Sequence, residues 1–163
     1  MKTSIRTFLT CGLLIGVASI SFKCDNDDDP EPPLTGNEEE YTLRSVSNPA
    51  ISGTVTFAER EDDYVVITIE LTGTQSGAMH PAHIHMNSAA EGGNIILDLK
   101  DVNGGDGKSV TIVNELNDGT PVSYQDLIEF DGYVNVHLSS SDLGTLIAQG
   151  DIGGNELTGD NKV

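Results

Sequence analysis

Apolar and polar residues alternate from Ile51 to Phe57, the pattern of a strand with one face in a core. The charged stretch Glu59-Arg60-Glu61-Asp62-Asp63 predicts a turn. Tyr64–Leu71, rich in β-branched residues, predicts a second strand that completes a hairpin. Further strands are expected at Met79–Met86, Ile95–Leu99, Val110–Val113, Tyr133–Leu138 and Leu146–Ile152, separated by clusters of Gly, Asn and Asp. One short helix is predicted where Ser123 and Asp126 take the first and fourth positions of a capping box ahead of Leu127-Ile128, with Gly132 as its stop. The fold class expected is all-β: a Greek-key β-sandwich of seven or eight strands with one short helix.

Before this β pattern the chain has a different character. Residues 1–23 carry Lys2, Arg6 and Lys23 and no acid, around an apolar run from Phe8 to Ile20. A basic start with a short apolar centre predicts an export signal, and the run is too short for a stable spanning helix. Cys24 follows, then Asp25-Asn26-Asp27-Asp28-Asp29-Pro30. This arrangement resembles the bacterial lipoprotein signal, with Lys23 a departure from the small residues usual before that Cys. The resemblance implies cleavage before Cys24, lipidation of its thiol and a lipid anchor in the outer membrane. The acidic run is similar to the export tag of surface-exposed lipoproteins in some Gram-negative bacteria. Simple secretion, with Cys24 a free thiol, is the alternative.

Residues 25–40 contain almost no apolar side chain and repel one another, which predicts an extended, disordered linker. The organisation expected is a signal peptide at 1–23, Cys24 with its acidic linker to residue 40, and one β domain at 41–163. Of 163 residues, 8 are Lys or Arg and 26 are Asp or Glu, for a net charge of -18. Removing the leader takes three cations and no acid, leaving 5 against 26 and a net charge of -21. Eight acids fall in the linker, so the other eighteen make the domain acidic in its own right. Such a field excludes nucleic acid as the main partner and opposes anionic substrates. Without Cys11, which leaves with the leader, no intramolecular disulfide can form, and stability must come from a packed core.

The four histidines are concentrated: His80-Pro81-Ala82-His83-Ile84-His85, and His137 in Tyr133-Val134-Asn135-Val136-His137-Leu138. On a strand, His83 and His85 share one face while Ala82, Ile84 and Met86 share the other. Val134, Val136 and Leu138 likewise form an apolar face opposite Tyr133, Asn135 and His137. If the two strands are neighbours, His83, His85 and His137 converge outside the sheet. That geometry can hold zinc or copper. It also suits plain surface histidines that tie a loop to a strand. A serine or cysteine nucleophile finds no support, because no Gly-x-Ser-x-Gly elbow exists.

Leu71-Thr72-Gly73, the His80–His85 segment, Tyr-Val-Asn-Val-His ending at His137, and the Gly-rich stretch Gly144–Gly150 together resemble the CHRD family, named from the domain of chordin. The likeness spans most of residues 41–159. Family members usually carry Gly-Glu-Ile-Arg-Gly-Gln in the last segment; here Gln149 is kept and the Glu–Arg pair is absent. The resemblance implies an exported domain, and the reading preferred is a binding or interaction module for an extracellular protein or small ligand rather than an enzyme.

The spacing His-x-x-His-x-His with a late His is distantly similar to Cu/Zn superoxide dismutase. By that similarity His80 is structural, and His83, His85 and His137 are copper ligands. The alternative function implied is a copper-binding or superoxide-dismutase-like redox protein. No residue after His85 supplies a bridging ligand or a zinc site, and Lys162 is the only cation after His137, which argues against dismutation. A further cluster, Asp98, Asp101, Asn103 and Asp106, begins like a calcium loop but has Ile112 where the bidentate Glu belongs. An ordinary Asn/Asp/Gly turn is the reading preferred there.

Overall fold

The computed structural model describes residues 30–155; the leader at 1–23, Cys24, and the acids Asp25–Asp29 lie outside the described residues, as do residues 156–163. Eight strands follow in chain order: β1 (Leu34–Ser45), β2 (Ser52–Arg60), β3 (Val65–Thr72), β4 (Met79–Met86), β5 (Ile95–Asn103), β6 (Lys108–Val113), β7 (Asp131–Ser139) and β8 (Asp142–Gly153). One helix, α1 (Tyr124–Glu129), stands between β6 and β7. All neighbouring strands are antiparallel, in the order β1-β2-β3-β6-β5-β4-β7-β8, and the sheet closes on itself as a barrel. Strands β4, β5 and β6 run consecutively and β7 returns beside β4, which is a Greek key.

The all-β class and the short helix are therefore as expected, but the sheet is one closed barrel where two opposed sheets were expected. The difference lies in two seams. β1 joins β8 through Arg44↔Gln149 and Ser45↔Ala148, and β5 joins β6 through Asn103↔Lys108. These few pairs link β1-β2-β3-β6 to β5-β4-β7-β8, and the pairing of edges that closes a barrel is not encoded in strand periodicity.

The linker expectation also changes. Residues 34–40 form the first part of β1, with Glu38, Glu39 and Glu40 opposite Ala58, Phe57 and Thr56 of β2. Composition sees only their repulsion. The ladder to β2 satisfies the backbone while the carboxylates stay in water, and Tyr41 and Leu43 further along the strand are buried.

Period-two burial is cleanest in β3, where Val65, Ile67, Ile69 and Leu71 point inward and Thr68, Glu70 and Thr72 outward. Val55 and Phe57 of β2, Ile84 of β4, Val134 and Val136 of β7, and Ile147 and Ile152 of β8 complete the centre of one core. Apolar inside and polar outside is the reverse of a membrane-spanning barrel, whose apolar side chains face lipid. Alternation fails at two positions expected to face the core. Leu138 is exposed because irregular pairing of β7 with β8 around His137 breaks the parity, and Met86 is exposed where β4 runs out.

The capping box forms as predicted. Ser123 Oγ accepts from the Asp126 N–H, and the Asp126 carboxylate accepts from the Ser123 N–H. The helix stops earlier than predicted, at an extended Phe130, and Gly132 already belongs to β7. A Cβ on Gly132 would meet the Phe130 ring and the His85 carbonyl, so its glycine serves the close approach of β7 to β4.

Candidate metal centre

β4 and β7 are neighbours, with His83 opposite Asn135 and His85 opposite Tyr133. This pairing brings the predicted histidines together: one ring nitrogen from each of His83, His85 and His137 lies within 4.8 Å of the others. They sit on the outer side of the sheet, yet the face is less open than periodicity suggested. His137 is only 7% exposed, and His83 and His85 are half-buried.

The surroundings assign the ring protons. His137 Nδ1 lies 2.7 Å from the Leu143 carbonyl, and His85 Nδ1 lies 2.9 Å from the Gly93 carbonyl. A carbonyl only accepts, so both Nδ1 atoms carry the proton and both Nε2 atoms present lone pairs. His83 Nδ1 stands 3.1 Å from His137 Nε2 and donates to it. His83 Nδ1 and His137 Nε2 thus meet directly, and His85 offers its Nε2. The Nδ1 atoms of His85 and His137 tie the 87–94 loop and the start of β8 to their strands, as surface histidines of this kind were expected to do.

A supporting network holds this arrangement. Asn135, buried between the histidines, receives a hydrogen bond from Gln149 at 2.8 Å on its Oδ1 and directs its Nδ2 to His85 Nε2 at 3.4 Å. Tyr133 stacks on the His85 ring with centroids 4.7 Å apart, and its hydroxyl accepts from the Gly93 N–H at 3.2 Å. Gly93 approaches the Met86 carbonyl so closely that a Cβ would collide with it, which explains a glycine where the loop must reach His85. Tyr133 and Asn135 were legible as residues on the His137 face, whereas nothing local in the sequence marks the Gly93 and Leu143 carbonyls as partners.

His80 takes no part in the convergence. It is 3% exposed, and its Nδ1 donates to the carbonyls of His137 and Leu138 at 3.2 and 2.9 Å, where β7 departs from regular pairing. Its Nε2 is buried with no hydrogen-bond partner. Two members of the calcium-like cluster serve a turn, where Asn103 Oδ1 accepts from the Gly105 N–H and Asp106 Oδ1 from the Lys108 N–H, while Asp98 and Asp101 stand on β5.

Burial pushes the His83 imidazole below its ordinary pKa, with the His137 ring adding to the effect and Asp98 opposing it. Burial also lowers His137, against the Leu143 carbonyl, which favours the protonated ring. Both are therefore neutral at pH 7, the state in which imidazole ligates metal. Because the unfolded chain binds these protons more readily, their contribution to stability is complete above the ordinary imidazole value of about 6.5. It is lost as pH falls through the lower folded values. Thermal unfolding of the metal-free protein should thus move to lower temperature between about pH 7.5 and pH 5. His137→Phe should flatten that slope; an unchanged slope would show that these rings do not carry the effect.

Imidazole nitrogens about 2.0–2.1 Å from one ion stand about 3.3–4.1 Å from each other, depending on geometry. Separations of 3.1 Å for His83–His137 and no more than 4.8 Å within the set bracket that range. Three imidazoles, two with their second nitrogen fixed by a carbonyl, fit zinc or copper in donor type and outer support. No protein-family model matches the chain, and no curated protein is significantly similar to it.

Proposed function

We propose that the chain is an exported, lipid-anchored binding module of CHRD type whose barrel holds a copper or zinc ion on His83, His85 and His137. The observation that carries this reading is the convergence of three ring nitrogens from two adjacent strands, with the opposite nitrogens of His85 and His137 held by backbone carbonyls. His80 serves in it as the structural histidine that braces the β7 backbone at His137. Bound there, the ion supplies Lewis acidity or, as copper, a one-electron couple.

Binding is favoured over turnover. A domain with this excess of acids repels superoxide and other anions, and a dismutase-like role needs an attracting field. A module that captures a cation at the cell surface is served by the same field. An extracellular protein or small ligand then meets the domain through, or beside, the metal.

Titration of Cu(II) or Zn(II) into the purified Cys24→Ser protein, which lacks the competing thiol of the anchor, tests the site. One equivalent bound is expected; no uptake would sink the reading. Location is tested separately. The wild-type chain should fractionate with membranes and the Cys24→Ser chain with the soluble fraction, since the anchor is the acyl chain alone. Identical fractionation of the two would reject the lipid anchor.

A further inference from the structure

Asp98, read from sequence only as part of an acidic turn, stands on β5 directly opposite His83 of β4. Its Oδ1 lies 3.7 Å from His83 Nε2, and its side chain is 67% exposed. With its proton on Nδ1, His83 donates to His137 Nε2 at 3.1 Å. A lone pair on His83 Nε2 then faces a carboxylate. Two acceptors opposed at this distance repel one another, so this tautomer is the one Asp98 disfavours.

We propose that Asp98 is the positioning residue of the metal centre, selecting the His83 tautomer that ligates through Nδ1. The proposal rests on the three-histidine reading above. When a metal takes the Nδ1 lone pair, one proton leaves Nδ1 for solvent and one arrives at Nε2, so the ring stays neutral and no net proton is released. The new Nε2–H points at the Asp98 carboxylate, and the exposed side chain closes from 3.7 Å to a charge-assisted hydrogen bond in place of the repulsion. His85 and His137 have carbonyls in this supporting role, and His83 is the member of the three whose outer partner is a carboxylate. The site thereby resists closing onto itself through the His83–His137 hydrogen bond and is biased toward an ion. Partners of this kind orient ligating histidines and typically alter metal affinity about 10- to 100-fold.

The experiment compares the wild-type protein with Asp98→Ala and Asp98→Glu, using Zn(II) competed against a chromophoric chelator. Asp98→Ala should bind about 10- to 100-fold more weakly, and Asp98→Glu, which restores a carboxylate, should recover most of the loss. Because Asp98 is 67% exposed, thermal unfolding of the metal-free protein should move little in either variant, which separates lost affinity from lost folding. Nitrogen-15 NMR of the zinc form should place the His83 proton on Nε2, as a slowly exchanging N–H that Asp98→Ala makes fast. Equal zinc affinity in wild type and Asp98→Ala, or a His83 proton on Nδ1 in the zinc form, would overturn the role of Asp98 alone. Absence of zinc uptake by the wild-type protein would overturn the metal centre and this inference together.

Discussion

Replacing His137 by alanine is expected to weaken zinc or copper binding by about 60- to 700-fold. A four-ligand structural zinc site is worth about 10–16 kcal/mol, or about 2.5–4 kcal/mol per ligand, and each 1.4 kcal/mol is a factor of ten. His137 stands at the centre of the cluster. Its Nε2 accepts from His83, its Nδ1 is fixed to Leu143, and its carbonyl is held by His80. His83→Ala should have an effect of the same size, since it removes the member that faces both His137 and Asp98. Competition against a chelator of known affinity measures both. Uptake equal to wild type in both variants would show that the ion binds elsewhere, for example among the exposed acids.

Phe57→Ala is expected to cost about 3–5 kcal/mol of folding stability, the range for removing a fully buried aromatic ring. Phe57 is 0% exposed in the centre of the barrel, and its ring packs against Tyr41 at 5.5 Å between centroids, tilted by 59°. Tyr41 belongs to β1, the strand that starts in an acidic segment and closes the barrel against β8. The ring therefore anchors the strand whose early residues have least reason of their own to be ordered. Against a total stability of about 5–15 kcal/mol for a domain of this kind, such a loss brings the protein near its unfolding threshold. Urea denaturation measures it. A change below about 1 kcal/mol would place the ring outside the core, since exposed substitutions rarely exceed that.

Much of the barrel was legible because strand periodicity is local. β4 begins and ends where its pattern predicts, at Met79 and Met86, and Ser123 with Asp126 caps α1 as their spacing predicts. Alternation also put His83 and His85 on one face and His137 on its counterpart in β7. Closure was not legible, because it rests on which edges pair, and Arg44↔Gln149 joins residues far apart in the chain. Residues 34–40 were hidden by their charge, since composition registers repulsion but not the ladder that β2 offers. Leu138 escaped because irregular pairing shifts parity without a local signal. At the site the three histidines were readable as a converging set, whereas the groups that orient their rings were not. A carbonyl carries no sequence signature, and Asp98 gains its meaning only from standing beside His83 on another strand.

The central claim is that His83, His85 and His137 form one metal centre, and the most direct measurement is a crystal structure of the zinc-loaded protein with anomalous scattering at the zinc edge. The expected result is one strong peak about 2.0–2.1 Å from His83 Nδ1, His85 Nε2 and His137 Nε2. The contradicting result is zinc held on surface carboxylates, with His83 Nδ1 still hydrogen-bonded to His137 Nε2.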